Sequence, residues 1–109
     1  MIEKKNFTSP DETMTPANAK VEVVAVGGLT LQKITAQPGW KWSKDLKPVM
    51  KTESCEKDHR LYILSGKGHV RMDDGTEEDF EAGDLIAISP GHDGWTVGNE
   101  PVVWLELPH

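Results

Sequence analysis

Turn-forming residues recur about every 6 to 12 residues from Lys20 to the end of this 109-residue chain, and nowhere do they leave an uninterrupted window of helical periodicity. That punctuation leaves room for short strands and little else. Val21, Val23 and Val26 form a Val-rich run closed by Gly27-Gly28, and Leu29 to Ile34 follow as a second run. His59 to Ser65 is β-branched and aromatic. Gly66-Lys67-Gly68 turns it into His69 to Met72, and Asp73-Asp74-Gly75 then supplies the positive φ angles of a tight hairpin. Thr76 to Phe80, Leu85 to Ile88, Trp95 to Val97 and Val102 to Leu107 bring the expectation to about nine or ten short strands. Connections this short cannot hold the crossover helices of a parallel sheet. The fold class expected is therefore all-β, a mainly antiparallel jelly-roll barrel.

Residues 1–19 differ in kind: Ile2, Phe7 and Met14 are the sizeable apolar groups in a stretch of charge, Thr, Pro and Asn without period. They read as an N-terminal arm, flexible or packed in a dimer, with the barrel domain spanning 20–109. Between the second and third strands, Pro38 to Met50 alternates turn formers with large aromatics, as a loop that packs against something would. In His59 to Ser65 both faces are apolar, Leu61 and Ile63 on one and Tyr62 and Leu64 on the other, and Val102 to Leu105 repeats the pattern. The outer face should be covered, by the N-terminal segment or by a second subunit, and a homodimer is the expected assembly.

Charge narrows the functional classes. Twelve Lys and Arg against eighteen Asp and Glu give a net charge of -6, which repels phosphate backbones and anionic lipid, so neither nucleic acid nor membrane is an expected partner. No run approaches the ~20 apolar residues of a membrane span, and the N-terminus has no signal-type apolar stretch, which makes a soluble cytoplasmic protein the expectation. The single cysteine, Cys55, excludes an intrachain disulfide. The acidic run from Asp73 to Glu81 reads as a solvated hairpin. No Ser/His/Asp motif, phosphate loop or CxxC pair is present.

From Pro38 to Asn99 the chain resembles the cupin family. Pro38-Gly39, then Tyr62-Ile63-Leu64-Ser65-Gly66 and Gly68, fit the first cupin motif; Gly83-Asp84, Leu85 to Ile88, Pro90-Gly91 and Asn99 approximate the second. The Trp-x-Trp-Ser segment at Trp40, the Ser-Cys before His59 and Pro-Gly-His-Asp-x-Trp at Pro90 are similar to a subset of small cupins. The resemblance implies a double-stranded β-helix with a pocket inside, and it implies where metal ligands would stand. His59 occupies the place of the family's ligand Glu. With three-residue spacing Glu53 and Cys55 take the two His positions, and with four-residue spacing Thr52 and Ser54 would; the first register is favoured. The family's second-motif His falls near Gly94, and His92 is its nearest substitute.

Cys55, His59 and His92 with Glu53 would make an N/S/O ligand set suited to zinc, or to iron, nickel or copper, because thiolate and imidazole select such ions over Mg or Ca. The alternative is that Cys55 is a small buried apolar residue and His59 a hydrogen-bonded barrel residue, with no metal at all. Trp40, Trp42 and Trp95, with Tyr62 and Asp93, are the candidate pocket residues; core packing is the alternative for the tryptophans, and a turn role for Asp93. His69 and His109 read as bystanders. The leading functional expectation is a barrel that holds a divalent metal and a small organic ligand, open to metal-assisted isomerisation, hydrolysis or oxygenation. A metal-free small-molecule binding or sensor module is the alternative.

Overall fold

The structure is a computed structural model that describes residues 1–51, 53–55 and 57–108; Thr52, of the second ligand register, and His109 lie outside the described residues. Among the described residues the chain forms β1 (Glu12–Met14), β2 (Ala19–Val26), β3 (Leu29–Ala36), α1 (Trp42–Asp45) and α2 (Lys47–Met50). These are followed by β4 (His59–Ser65), β5 (Lys67–Met72), β6 (Glu77–Glu81), β7 (Leu85–Ile88), β8 (His92–Val97) and β9 (Val102–Glu106). Two antiparallel sheets result, six strands in the order β1-β2-β3-β9-β4-β7 and three in the order β6-β5-β8. The all-β jelly-roll expectation is met. No helix among the described residues is long and apolar enough to cross a membrane.

Two strands begin earlier than the turn residues suggest. The corner between β4 and β5 needs Gly66 alone, at φ 78°, where a Cβ would collide with the Pro101 carbonyl. Lys67 and Gly68 already pair with Glu81 and Phe80 on one side and Val97 and Thr96 on the other. Likewise β8 starts at His92, because His92-Asp93-Gly94 pairs with Met72-Arg71-Val70 despite its turn-like composition. Tertiary pairing overrides local propensity in both places.

The N-terminal segment lies over β2 and β3, not over β4. Glu12–Met14 pairs with Val21–Val23, Lys33 Nζ sits 5.9 Å from the Phe7 ring centroid, and Asp11 accepts a hydrogen bond from the Ala25 amide at 2.8 Å. Tyr62 and Leu64, on the outer face of β4, remain exposed, as does Leu85 on β7.

Inward side chains are graded along the barrel axis. On β3 they run Ala36, Ile34, Gln32; on β9 Val102, Trp104, Glu106; on β4 Ile63, Leu61, His59; on β8 Thr96, Gly94, His92. Ala36 and Val102, paired across β3 and β9, form a closed floor with Ile63 one step above it beside Trp104; all three are fully buried, and Thr96 Oγ1 donates to the Ala36 carbonyl at 3.2 Å, tying the two sheets together. Burying each such Ile or Val stabilises by about 1.5–3 kcal/mol, which places the apolar anchor of the fold at this end. The opposite end carries the polar groups.

Candidate metal centre and ligand cavity

Three chain segments converge at the polar end. His59 opens β4 and His92 opens β8, both pointing inward as the two-residue alternation of their strands requires. Cys55 precedes β4 and is pinned to β8 by an isolated bridge: its amide donates to the His92 carbonyl at 2.7 Å, and the Gly91 amide donates to the Cys55 carbonyl at 2.8 Å. Gly91 turns at φ 90°, with its Cα facing the Asp73 carboxylate, and that same carboxylate accepts from Ser54 Oγ at 2.8 Å. Hence the Cys55 segment is fastened on both sides.

One ligating atom each from Cys55, His59 and His92 lies within 4.8 Å of the others. Cys55 Sγ is 3.6 Å from His59 Nε2, and the two imidazole centroids are 5.1 Å apart. Both histidines have the other ring nitrogen engaged. His59 Nδ1 meets the Glu106 carboxylate at 3.0 and 3.1 Å, and His92 Nδ1 donates to the Ser89 carbonyl at 2.8 Å. Fixing Nδ1–H against an acceptor presents Nε2 to the cluster, the arrangement that metal-binding imidazoles adopt. Trp104 Nε1 in turn donates to Glu106 at 3.1 Å.

The electrostatics follow from these contacts. Burial alone would push the Cys55 thiol up, but hydrogen bonds from His59 and His92 outweigh it and bring it down to about 6. Burial alone would favour neutral His59, but Cys55 and Glu106 outweigh it and raise it to about 9. Burial also opposes the Glu106 charge, and the His59 hydrogen bond and the His59 and Lys57 charges hold that carboxyl below its usual range nonetheless. The lowered thiol and the raised imidazole both favour charge separation across the Sγ···Nε2 contact, where a bound cation would stand in the proton's place. The N₂S donor set fits a late first-row divalent ion.

Above the floor the barrel holds a cavity of about 520 Å³, and the cluster sits in its wall. Trp40 and Trp42 line it, as the sequence suggests; Trp40 packs on Trp104 with centroids 6.1 Å apart, and its buried Nε1 has no hydrogen-bond partner among the described residues. Leu46, at the junction of the two short helices, and Met50, the last residue of α2, line one side.

The remaining candidates stand elsewhere. Glu53 is not brought to the cluster: its side chain is 97% exposed and pairs with Lys47 Nζ at 3.1 Å. Residues 53 and 54 form a bend, so the same-face rule for i and i+2 in a strand does not operate there. Tyr62 faces outward and does not line the cavity. Trp95 borders the cavity, but its ring stacks on His69 at 4.8 Å and lies 4.8 Å below Lys41 Nζ. Asp93 Oδ1 accepts from the Ser43 and Gly94 amides at 3.0 and 2.9 Å, so it tethers the α1 turn to β8 and does not orient His92. His69 is not idle: Asp79 and Glu77 hold its two nitrogens on the outer face of the small sheet. Sequence reasoning missed Glu106, Trp104, Gln32 and Lys57, all of which line the cavity. Alternation along Val102, Trp104 and Glu106 was the available signal for the first two.

The pattern of the EutQ-like cupin domain matches residues 46–103, more than half the chain. The chain belongs to this cupin family. No curated protein matches the sequence of this cupin. Among solved structures, a protein of unknown function from Rhizobium leguminosarum bv. viciae 3841 aligns over 100% of this chain and 99% of its own, at 16% identity and a TM-score of 0.66. Ectoine synthase from P. lautus aligns over 98% of this chain and 78% of its own, at 13% identity and a TM-score of 0.69. The polyketide cyclase RemF from Streptomyces resistomycificus aligns over 97% and 78%, at 16% identity and a TM-score of 0.68. At these identities the likeness is one of fold.

Proposed function

We propose that this cupin holds a divalent transition metal through Cys55 Sγ, His59 Nε2 and His92 Nε2, and binds a small organic ligand in the adjoining cavity. The observation that carries the reading is the convergence of three soft donors from three separate segments, with both imidazoles locked at Nδ1. Zinc suits the set, and iron, nickel or copper would also be accommodated. Three protein donors leave coordination positions for a ligand atom or water, and a metal there would polarise a ligand oxygen or activate water or O₂. On this reading Glu106 orients His59, the Ser89 carbonyl orients His92, and the buried floor residues back the cavity.

A metal-free binding module is the second reading, supported by the fact that His59 Nε2 and Cys55 Sγ satisfy each other without a metal. Elemental analysis of untagged protein purified without chelator separates the two. Close to one equivalent of a transition metal per chain supports the first reading; metal-free protein that also fails to take up zinc on titration removes it.

A further inference from the structure

We propose that the ligand is a flat aromatic molecule with one oxygen-bearing head, inserted rings first, so that the head meets the cluster and the rings lie deeper in the barrel. The placement of the head rests on the metal reading above; the aromatic class rests on the cavity alone.

The first observation is the gradient along the barrel. On β3 and β9 the inward rows pass from Ala36 and Val102 through an apolar middle layer of Ile34 and Trp104, beside which β4 places Ile63, to Gln32 and Glu106; Leu61 and then His59 continue β4, and β8 runs Thr96, Gly94, His92. The second is the composition of the walls. Trp40, Trp42, Phe80, Trp95 and Trp104 bring five aromatic side chains to one cavity, and such surfaces favour offset or edge-on contact with another ring. The charged groups of the lining, Lys57 and Glu106 beside His59, are confined to the rim; Trp104 Nε1 is already committed to Glu106. A polyhydroxylated or polycarboxylic ligand would carry several oxygens into the middle layer, where Trp40 Nε1 is the single buried side-chain donor without a partner among the described residues. An aromatic body brings no polar group that needs a partner there. Size agrees: 520 Å³ is room for roughly seventeen water volumes of ~30 Å³ each, a bicyclic aromatic and its head rather than a two-carbon or four-carbon acid.

Calorimetric titration with 1-hydroxy-2-naphthoate, against galacturonate as a polar probe of similar atom count, tests this. The variants Val21→Phe and Ala19→Leu fill the aliphatic wall that β2 supplies without touching the cluster; two are used because either could disturb β2, and thermal melting checks each. The expected result is saturable binding of one naphthoate per chain, at least tenfold weaker in whichever variant stays folded, with cobalt affinity unchanged and no measurable galacturonate binding. Galacturonate binding as tightly as the naphthoate, or naphthoate binding indifferent to both fillings, overturns the aromatic class. Cobalt uptake without naphthoate binding overturns it as well, and leaves the metal reading standing. Naphthoate binding without cobalt uptake supports the aromatic class while the metal reading fails. With both bound, naphthoate should perturb the thiolate-to-cobalt absorption; an unperturbed band overturns the placement of the head.

Discussion

His59 and His69 look alike at close range and differ in everything that surrounds them. Each lies on a strand with a carboxylate at Nδ1, Glu106 for one and Asp79 for the other. The Glu106 side chain, however, is 12% exposed, whereas Asp79 is 83% and Glu77 50% exposed. The second nitrogen of His59 faces a thiol in a cavity wall, and that of His69 faces another carboxylate on the sheet exterior. A His–carboxylate contact therefore specifies nothing by itself. What makes one a candidate metal ligand is that its partner is buried, so the pair stays oriented, and that other soft donors share the space.

The sharpest way to break this comparison is to remove donors. Cys55→Ala and His92→Ala should each lower metal affinity by more than the ~100-fold that loss of an outer partner brings, while His69→Ala leaves it at the wild-type value. Competition against a chromogenic chelator reads all three. Equal losses in all three would erase the distinction between inner and outer histidines.

Replacing Glu106 with Gln keeps the shape and removes the charge that holds His59. Metal affinity should fall by about 10–100-fold, the usual cost of an outer-sphere partner, with the far-ultraviolet spectrum unchanged. Asp79→Asn, the matching change beside His69, should do nothing to metal affinity.

Ser54→Ala cuts the hydrogen bond to Asp73 that fastens the Cys55 segment to the β5–β6 hairpin. A loss of about 1 kcal/mol in urea unfolding is expected, together with a weakening of metal affinity by a few fold as Cys55 loosens. A stability loss with metal affinity untouched would show that the bridge to His92 alone places the thiol.

The smallest effect belongs to His69. Hydrogen bonding to Asp79 raises its pKa, with burial opposing and Glu77 adding in the same direction. A raised histidine stabilises the fold fully below its unfolded value of ~6.5, and that stabilisation disappears as pH rises through the folded value. With exposed partners the contribution stays below the ~1 kcal/mol of surface ion pairs. The urea midpoint of wild type should fall slightly across this window relative to His69→Gln, and high salt should flatten the difference.

The barrel was legible because turn chemistry is local: Gly66, Asp74-Gly75 and Pro90-Gly91 mark strand ends without knowledge of any partner. Where strands began was less legible, since His92-Asp93-Gly94 has the composition of a turn and becomes strand only by pairing with β5. The cluster was readable for Cys55, His59 and His92, which stand in or near recognisable motifs. Glu106 was not, because 47 residues separate it from His59 and only the pairing of β9 beside β4 brings them together. Glu53 misled for the opposite reason: a two-residue spacing carries meaning in a strand, and the chain bends there. Tyr62 shows a related limit, for an apolar residue on an outer face reads like a pocket residue until the face is known.

Cys55, His59 and His92 are proposed to act together as one metal site. Cobalt titration of untagged, chelator-stripped protein tests it most directly, because a thiolate–cobalt bond has its own charge-transfer absorption. The expected band saturates at one cobalt per chain, disappears in Cys55→Ser, is lost or strongly weakened in His92→Ala and persists in His69→Ala. Saturable cobalt binding that keeps the same spectrum in Cys55→Ser, or no saturable binding at all, would contradict it.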